Sequence, residues 1–270
     1  MTYPTSLGTS TADQITLLGQ DLTADLMGKV SFGELAFWLV AMRRPTPGET
    51  RVFEAVLVAL ADHGFTPTAI AARLTYLSAP DSLQGALAAG LLGGGSRFLG
   101  VTEDSGQYLH AILERHGLER HGLERHGPDL PADDAGWDAL ALEAVRRTRE
   151  NGQYVPGLGH PVHKVRDPRT AVLIEIAESE GLRGPHLRLF EAIGRVHEQV
   201  LGRRLPLNGA GVCGAALADL GLPPEMLRGF ALLARCAGLL GQLAEERRRP
   251  IGMDAYLAID RNAVYVEPDH

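Results

Sequence analysis

The sequence predicts a mostly α-helical protein, and three observations carry that expectation. Apolar residues recur at helical spacing through much of the chain, as Phe32, Leu35, Phe37, Trp38, Leu39 and Met42 do. Stop signals follow those runs, at Gly181, Gly202 and Gly221-Leu222-Pro223-Pro224. Few stretches alternate as strands do, apart from Asn262-Ala263-Val264-Tyr265-Val266. At 270 residues with 45% hydrophobic content, the chain can bury a sizeable core as one large or two modest domains.

The elements can be justified in order. A helix over 31–42 starts at Ser31, and Glu34 three positions later completes a capping-box pattern. Residues 49–63 form the next helix, and Thr66-Pro67 marks the turn before one over 68–77. Asp81 is placed to cap a helix over 82–92, whose Ala and Gly residues allow close packing. Helices over 171–180, 186–201, 211–220 and 226–246 complete the chain. Residues 114–136 read as an exposed low-complexity loop, because Glu114-Arg115-His116-Gly117-Leu118 recurs at 119–123 and in part at 124–127. A spacing of five turns His116, His121 and His126 about 140° apart round a helix, so they share no metal-binding face. The glycine in each repeat also weakens a helix by roughly 1 kcal/mol relative to alanine.

Composition limits the function classes. A formal net charge of −7 lacks the basic footprint of a nucleic-acid or anionic-membrane binder, so any anion site is local. Cys213 and Cys236 are the only cysteines, which excludes a disulfide scaffold. The start, Met1-Thr2-Tyr3-Pro4, has no basic region leading into an apolar segment, and no run approaches eighteen apolar residues. The expectation is a cytoplasmic protein outside the membrane.

The segment Gly157-Leu158-Gly159-His160-Pro161-Val162-His163-Lys164-Val165-Arg166-Asp167-Pro168-Arg169 carries the chemistry. Two glycines ahead of a histidine let backbone approach a ligand closely. Histidine can donate to a carbonyl oxygen as negative charge develops there, and guanidinium groups grip carboxylates or phosphates in forked geometry. The segment suits a polyanionic ligand whose carbonyl or hydroxyl must be polarised. The run Gly93-Gly94-Gly95-Ser96-Arg97-Phe98 suits backbone contact with a phosphate or thioester oxygen, or equally a tight turn between helices.

This segment resembles the Gly-x-Gly-His...Asp-Pro-Arg signature of the citrate synthase superfamily. Other elements match in the family's order: the helix pair around 31–35 and 45–49, then Asp62-His63-Gly64, Arg235 within 230–238, and Arg249-Pro250. The matches run from about Ile15 to Met253. Arg97-Phe98 points to the branch of citryl-CoA lyase and the C-terminal part of ATP-citrate lyase. The resemblance implies a large helical domain (1–166 and 225–270), a small helical domain (167–224) and an active site in the cleft. It implies an acyl-CoA-dependent Claisen-type lyase or synthase, taking citryl-CoA to acetyl-CoA and oxaloacetate or handling a related 3-hydroxyacyl-CoA. The CoA thioester is then substrate or product, with no bound cofactor and no metal.

The resemblance also assigns roles. His160 and His63 are catalytic, and Arg169, Arg235 and Arg249 bind the carboxylates of a 2-oxo dicarboxylate. Gly94, Gly95, Gly157, Leu158, Gly159 and Lys164 contact CoA. Arg249 reaches across the interface of a homodimer. Two positions depart from the pattern: Phe98 stands where the synthases have a histidine that stabilises an enol, and Asn208-Gly209-Ala210-Gly211 places Ala210 at the catalytic aspartate. Alanine cannot take a proton, and a positioned base contributes about 10²–10⁴-fold to rate. Either another group, such as Glu103 or Asp104, handles that proton, or the chain is a catalytically silent paralogue that binds a di- or tricarboxylate or CoA. His163 lacks a family role and is expected to be exposed, and His197, on an amphipathic helix, is expected to be a satisfied surface or boundary histidine rather than a ligand.

Overall fold

The structure, a computed structural model, describes residues 2–117 and 130–268. Its first elements are a small antiparallel sheet of β1 (Gly8–Ser10), β2 (Ile15–Leu17) and β3 (Gln20–Asp21), with Thr9 opposite Thr16 and Leu17 opposite Gln20. A π-helical turn, Leu22–Leu26, follows. The described residues then form α1 (Phe32–Ala41), α2 (Pro47–Ala61), α3 (Pro67–Ser78), α4 (Leu83–Leu92), α5 (Val101–Arg115) and α6 (Asp134–Glu150). After these come α7 (Pro168–Ser179), α8 (Pro185–Val196), α9 (Glu198–Leu201), α10 (Gly209–Asp219), α11 (Leu227–Arg248) and α12 (Gly252–Asp260).

The helical class is therefore as the sequence predicts, although α5, α6 and α12 fall where no helix is expected. Strands of two and three residues are too short for alternation to register, so the sheet escapes a reading by period. The alternating run 262–266 forms no strand and is exposed beyond α12, because alternation without a neighbouring edge pairs no backbone groups. Ser31 Oγ does cap α1 by accepting from the Glu34 N–H at 3.1 Å, but the Glu34 carboxylate accepts from Arg44 Nε instead of closing a capping box. The reciprocal box forms at α2, where Thr46 Oγ1 accepts from the Glu49 N–H and Glu49 Oε2 accepts from the Thr46 N–H. Ser82, not Asp81, occupies the cap position of α4. The ends of the expected 114–136 loop are helical, while His121, His126 and the rest of the repeat lie outside the described residues.

The chain divides into two compact units: unit 1 comprises Met1–Val56 and Thr102–Leu227, and unit 2 comprises Leu57–Val101 and Arg228–His270. This is a different partition from the one at 167 and 224 that the resemblance implies.

In unit 1, α10 packs against α7 and α8, and α8 packs against α6. Val212, Cys213, Ala215 and Leu217 of α10 and Leu187, Leu189 and Phe190 of α8 have no exposed surface. Burying each such leucine or phenylalanine contributes about 1.5–3 kcal/mol, which concentrates the unit's stability in this pair. Asp219 ends α10 and accepts from the backbone N–H groups of His186 and Leu187, both at 3.0 Å, thereby closing the start of α8. Burial pushes the Cys213 thiol up to about 12, against a smaller opposing pull from Arg169, so Cys213 is a packing residue.

Unit 2 has its own core of Ala69, Ala72, Ala86, Leu239 and Leu243, covered by Tyr76, Leu87 and Leu91. Gly90 lets α4 approach α11, since a Cβ there would lie 2.7 Å from Leu239 Cδ1. With the turn before it, α11 is the one described helix long and apolar enough to cross a membrane, and 44% of its apolar 18-residue window is buried within the protein.

Candidate active site

Unit 1 holds the Gly157–Arg169 segment against the start of α10. Gly157 and Gly159 adopt positive φ, +85° and +83°. A side chain at Gly157 would lie 2.6 Å from the Phe190 ring. The loop is pinned by three contacts: Gly159 N–H to Pro206 O (2.8 Å) and Asn208 N–H to Gly157 O (2.9 Å), which together make an antiparallel bridge between Leu158 and Leu207, and Asn208 Nδ2 to Gly159 O (2.8 Å). Asn208 also caps α10 by accepting from the Gly211 N–H at 2.8 Å. One amide thus joins the glycine loop to the helix start that carries Ala210.

His160 is half-buried, and its Nδ1 accepts from the backbone N–H groups of Val162 (3.1 Å) and His163 (2.9 Å). An imidazole nitrogen that accepts twice carries no proton, so in the neutral ring the proton sits on Nε2. Nε2 is then a donor, suited to a carbonyl oxygen. Acting as a base at Nε2 would require giving up both backbone bonds. His163 is half-buried rather than exposed, its ring centroid 4.4 Å from that of His160. Lys164 is exposed and its Nζ donates to His160 O at 3.2 Å.

Asp167 caps α7 and organises Arg169. Its carboxylate accepts from Arg169 Nε (3.0 Å), Arg169 Nη2 (2.7 Å), the Arg169 N–H (3.1 Å) and the Gly209 N–H (2.7 Å), and the residue is only 2% exposed. Burial alone would raise this carboxyl, but the guanidinium and backbone donors outweigh it and hold it at about 2. Gly209 leaves room for the guanidinium, because a Cβ there would lie 2.3 Å from Arg169 Nε. Asp167 and Asn208 sit inside the motifs that point to the site, yet their roles follow from capping geometry that a motif does not print.

Ala210 is half-buried in the first turn of α10. The start of α5 packs on the same turn: Ser105 Oγ donates to Gly211 O at 3.2 Å, and a Cβ on Gly214 would lie 2.1 Å from Thr102 O. Glu103 and Asp104 are half-buried neighbours in that α5 turn. At about 100° per residue they lie off the face that Thr102, Ser105 and Gly106 present to α10. His197 is satisfied as expected, with Nδ1 donating to Ile193 O at 3.0 Å and Nε2 accepting from the Leu205 N–H at 2.8 Å, but it is buried rather than at the surface or boundary, being 1% exposed.

Unit 2 holds the remaining candidates. His63 is half-buried in the turn after α2. Arg235 is 4% exposed and donates from Nε and Nη2 to Leu60 O and from Nη1 to Thr66 Oγ1, so it fastens the two ends of the His63 turn. The Gly93–Gly100 run is a tight turn: the N–H groups of Gly94 and Gly95 donate to Leu91 O and Gly93 O. Phe98 is 38% exposed and Arg249 is exposed past the end of α11.

The pattern of the citrate synthase C-terminal domain matches residues 19–252, and the chain belongs to the citrate synthase family. That family comprises CoA-dependent condensing and cleaving enzymes. Among solved structures, the chain resembles the citryl-CoA lyase of Hydrogenobacter thermophilus at 26% identity and a TM-score of 0.81, covering 99% of this chain and 96% of that one. It also matches the ATP citrate lyase of Methanosaeta concilii, an aspartate-to-alanine mutant solved with (3S)-citryl-CoA, at 22% identity and a TM-score of 0.76 over 42% of that chain. A citrate synthase of Deinococcus radiodurans is 26% identical over 262 residues. The chain spans 61% of the length of that relative and 50% of the Synechocystis citrate synthase.

Proposed function

We propose that the protein binds a 2-oxo dicarboxylate together with a CoA thioester and catalyses citryl-CoA lyase-like Claisen chemistry, on citryl-CoA or a related 3-hydroxyacyl-CoA. The observation that carries this reading is His160, whose Nδ1 accepts twice and so puts the proton of the neutral ring on Nε2, the donor assigned here to the substrate's carbonyl oxygen. In cleavage, the bond between the hydroxyl-bearing carbon and the α-carbon breaks as the hydroxyl passes its proton to a water molecule and becomes a carbonyl. The bonding electron pair passes to the thioester as an enolate, whose α-carbon takes a proton back from that water to give acetyl-CoA, so that no proton is gained or lost overall. His160 stabilises the oxygen of the oxo acid throughout. Arg169, oriented by Asp167, grips a carboxylate, with Arg235 and Arg249 as further carboxylate contacts and His63 as a second catalytic group. Gly157, Leu158, Gly159 and Lys164 form the CoA side together with Gly94 and Gly95, whose contribution comes from atoms other than the two N–H groups held in their turn. Residues 167–224 act as the small domain of a cytoplasmic homodimer in which Arg249 serves the site of a second copy.

Ala210 favours a second reading, a catalytically silent paralogue that retains the ligand. The aspartate-to-alanine relative that holds citryl-CoA supports the idea that such a pocket keeps its ligand without the carboxylate. Calorimetry with oxaloacetate and CoA, paired with citryl-CoA cleavage, separates the readings: binding with cleavage supports the lyase, binding alone the silent paralogue, and neither rejects both.

A further inference from the structure

Unit 2 contains a buried polar chain with a fixed donor and acceptor sense. Arg73 on α3 is 1% exposed, and its nitrogens donate to Gln242 Oε1 (2.9 Å), Glu246 Oε2 (2.8 Å) and Glu245 Oε2 (2.7 Å). The guanidinium lies 5.0 Å from the centre of the Phe65 ring. Gln242, itself 8% exposed, passes the chain on: its Nε2 donates to Asp62 Oδ1 at 2.9 Å, and Asp62 Oδ2 accepts from the Gly64 N–H at 2.9 Å. In the other direction, the Glu246 carboxylate accepts from the N–H groups of Ile251 (3.0 Å) and Gly252 (2.7 Å). One end therefore folds the turn that carries His63, and the other closes the turn that follows Arg249-Pro250.

The sense of the chain is set by chemistry. Arginine only donates and an ionised aspartate only accepts, so the Gln242 amide has one satisfied orientation, Oε1 toward Arg73 and Nε2 toward Asp62. The same turn is drawn against α11 elsewhere: Arg235 holds Leu60 O and Thr66 Oγ1, and a Cβ on Gly238 would lie 1.8 Å from Ala61 O.

We propose that Gln242, oriented by Arg73, is a positioning residue for His63, so that the setting of this histidine depends on the polarity of a buried chain behind it. This rests on the reading of His63 as an oxo-acid contact, and the test separates the two. Gln242→Glu keeps an acceptor for Arg73 but sets two carboxylates face to face at Asp62. Adding Asp62→Asn restores a donor there, while the remaining amide oxygen still accepts from the Gly64 N–H. Asp62→Asn alone alters an exposed residue and provides a variant that folds if the buried change does not.

The measurements are calorimetric affinity for oxaloacetate and the His63 imidazole chemical shifts in the unliganded, histidine-labelled protein. Each single variant is expected to move the His63 resonances and weaken oxaloacetate by about tenfold, within the range of coupled neighbours. The double variant is expected to return both toward wild type. Resonances unchanged in every variant overturn the proposal, as does loss in the single variants that the double variant does not repair. If the wild type binds no oxaloacetate while the resonances move and return, the positioning claim stands and the oxo-acid reading of His63 fails.

Discussion

Two backbone N–H groups decide which nitrogen of His160 holds its proton, and most of the proposed chemistry depends on that choice. His160→Ala removes a donor to a developing charge, which is worth about 1.5–3 kcal/mol, so oxaloacetate affinity should fall roughly 10- to 100-fold by calorimetry. Asp167 gives a second prediction, with its sign set by a folded-state value held near 2, below the ordinary 3.8. A depressed carboxyl stabilises the fold above its unfolded value and loses that contribution as pH falls through the folded one. Acid denaturation should therefore show a loss on the order of 2 kcal/mol between about pH 4 and pH 2, absent in Asp167→Asn. Removing the charge also leaves Arg169 half-buried without its main acceptor, and Asp167→Ala should cost about 3 kcal/mol in urea denaturation. The histidine, the glycines and Arg169 are legible in the sequence because residue type states their chemistry. Asp167 and Asn208 are not, because a cap can be read only once the helix start is known.

At the scale of elements, glycines decide where helices and turns approach. Gly238→Ala forces a Cβ against the Ala61 carbonyl oxygen, and Gly214→Ala forces one against that of Thr102. Both should destabilise by more than about 2 kcal/mol in urea denaturation, since backbone cannot move aside as a side chain can. Gly95→Ala meets nothing within 4 Å and has no positive φ, so it should change stability by less than about 0.5 kcal/mol. Most helices are legible from period and stop signals, with ends displaced by a few residues. Three helices are missing from that reading, α5, α6 and α12, and α5 shows why one can be, since its buried stripe is Thr102, Ser105, Gly106, Leu109, Ile112 and Leu113. Half of that stripe is polar or lacks a side chain, because it packs against the glycine-rich α10 rather than an apolar face. Hydrophobic period cannot report such a helix.

For the whole molecule, a net charge of −7 means that anion binding must come from local arrangements such as the Asp167-ordered Arg169 rather than from a general field. A ligand that binds only the folded chain raises its stability by about 2.7 kcal/mol at one hundred times its Kd, so saturating oxaloacetate should raise the melting temperature by several degrees. Ala210→Asp should increase cleavage by about 10²–10⁴-fold if the missing carboxylate is what limits the reaction. Citryl-CoA cleavage through His160 is the activity proposed for this site. The most direct test follows oxaloacetate release from citryl-CoA by the wild-type chain, His160→Ala and Ala210→Asp. The expected result is release by the wild type, its loss in His160→Ala and a faster rate in Ala210→Asp. Release that persists in His160→Ala, or none from either the wild type or Ala210→Asp, would contradict it.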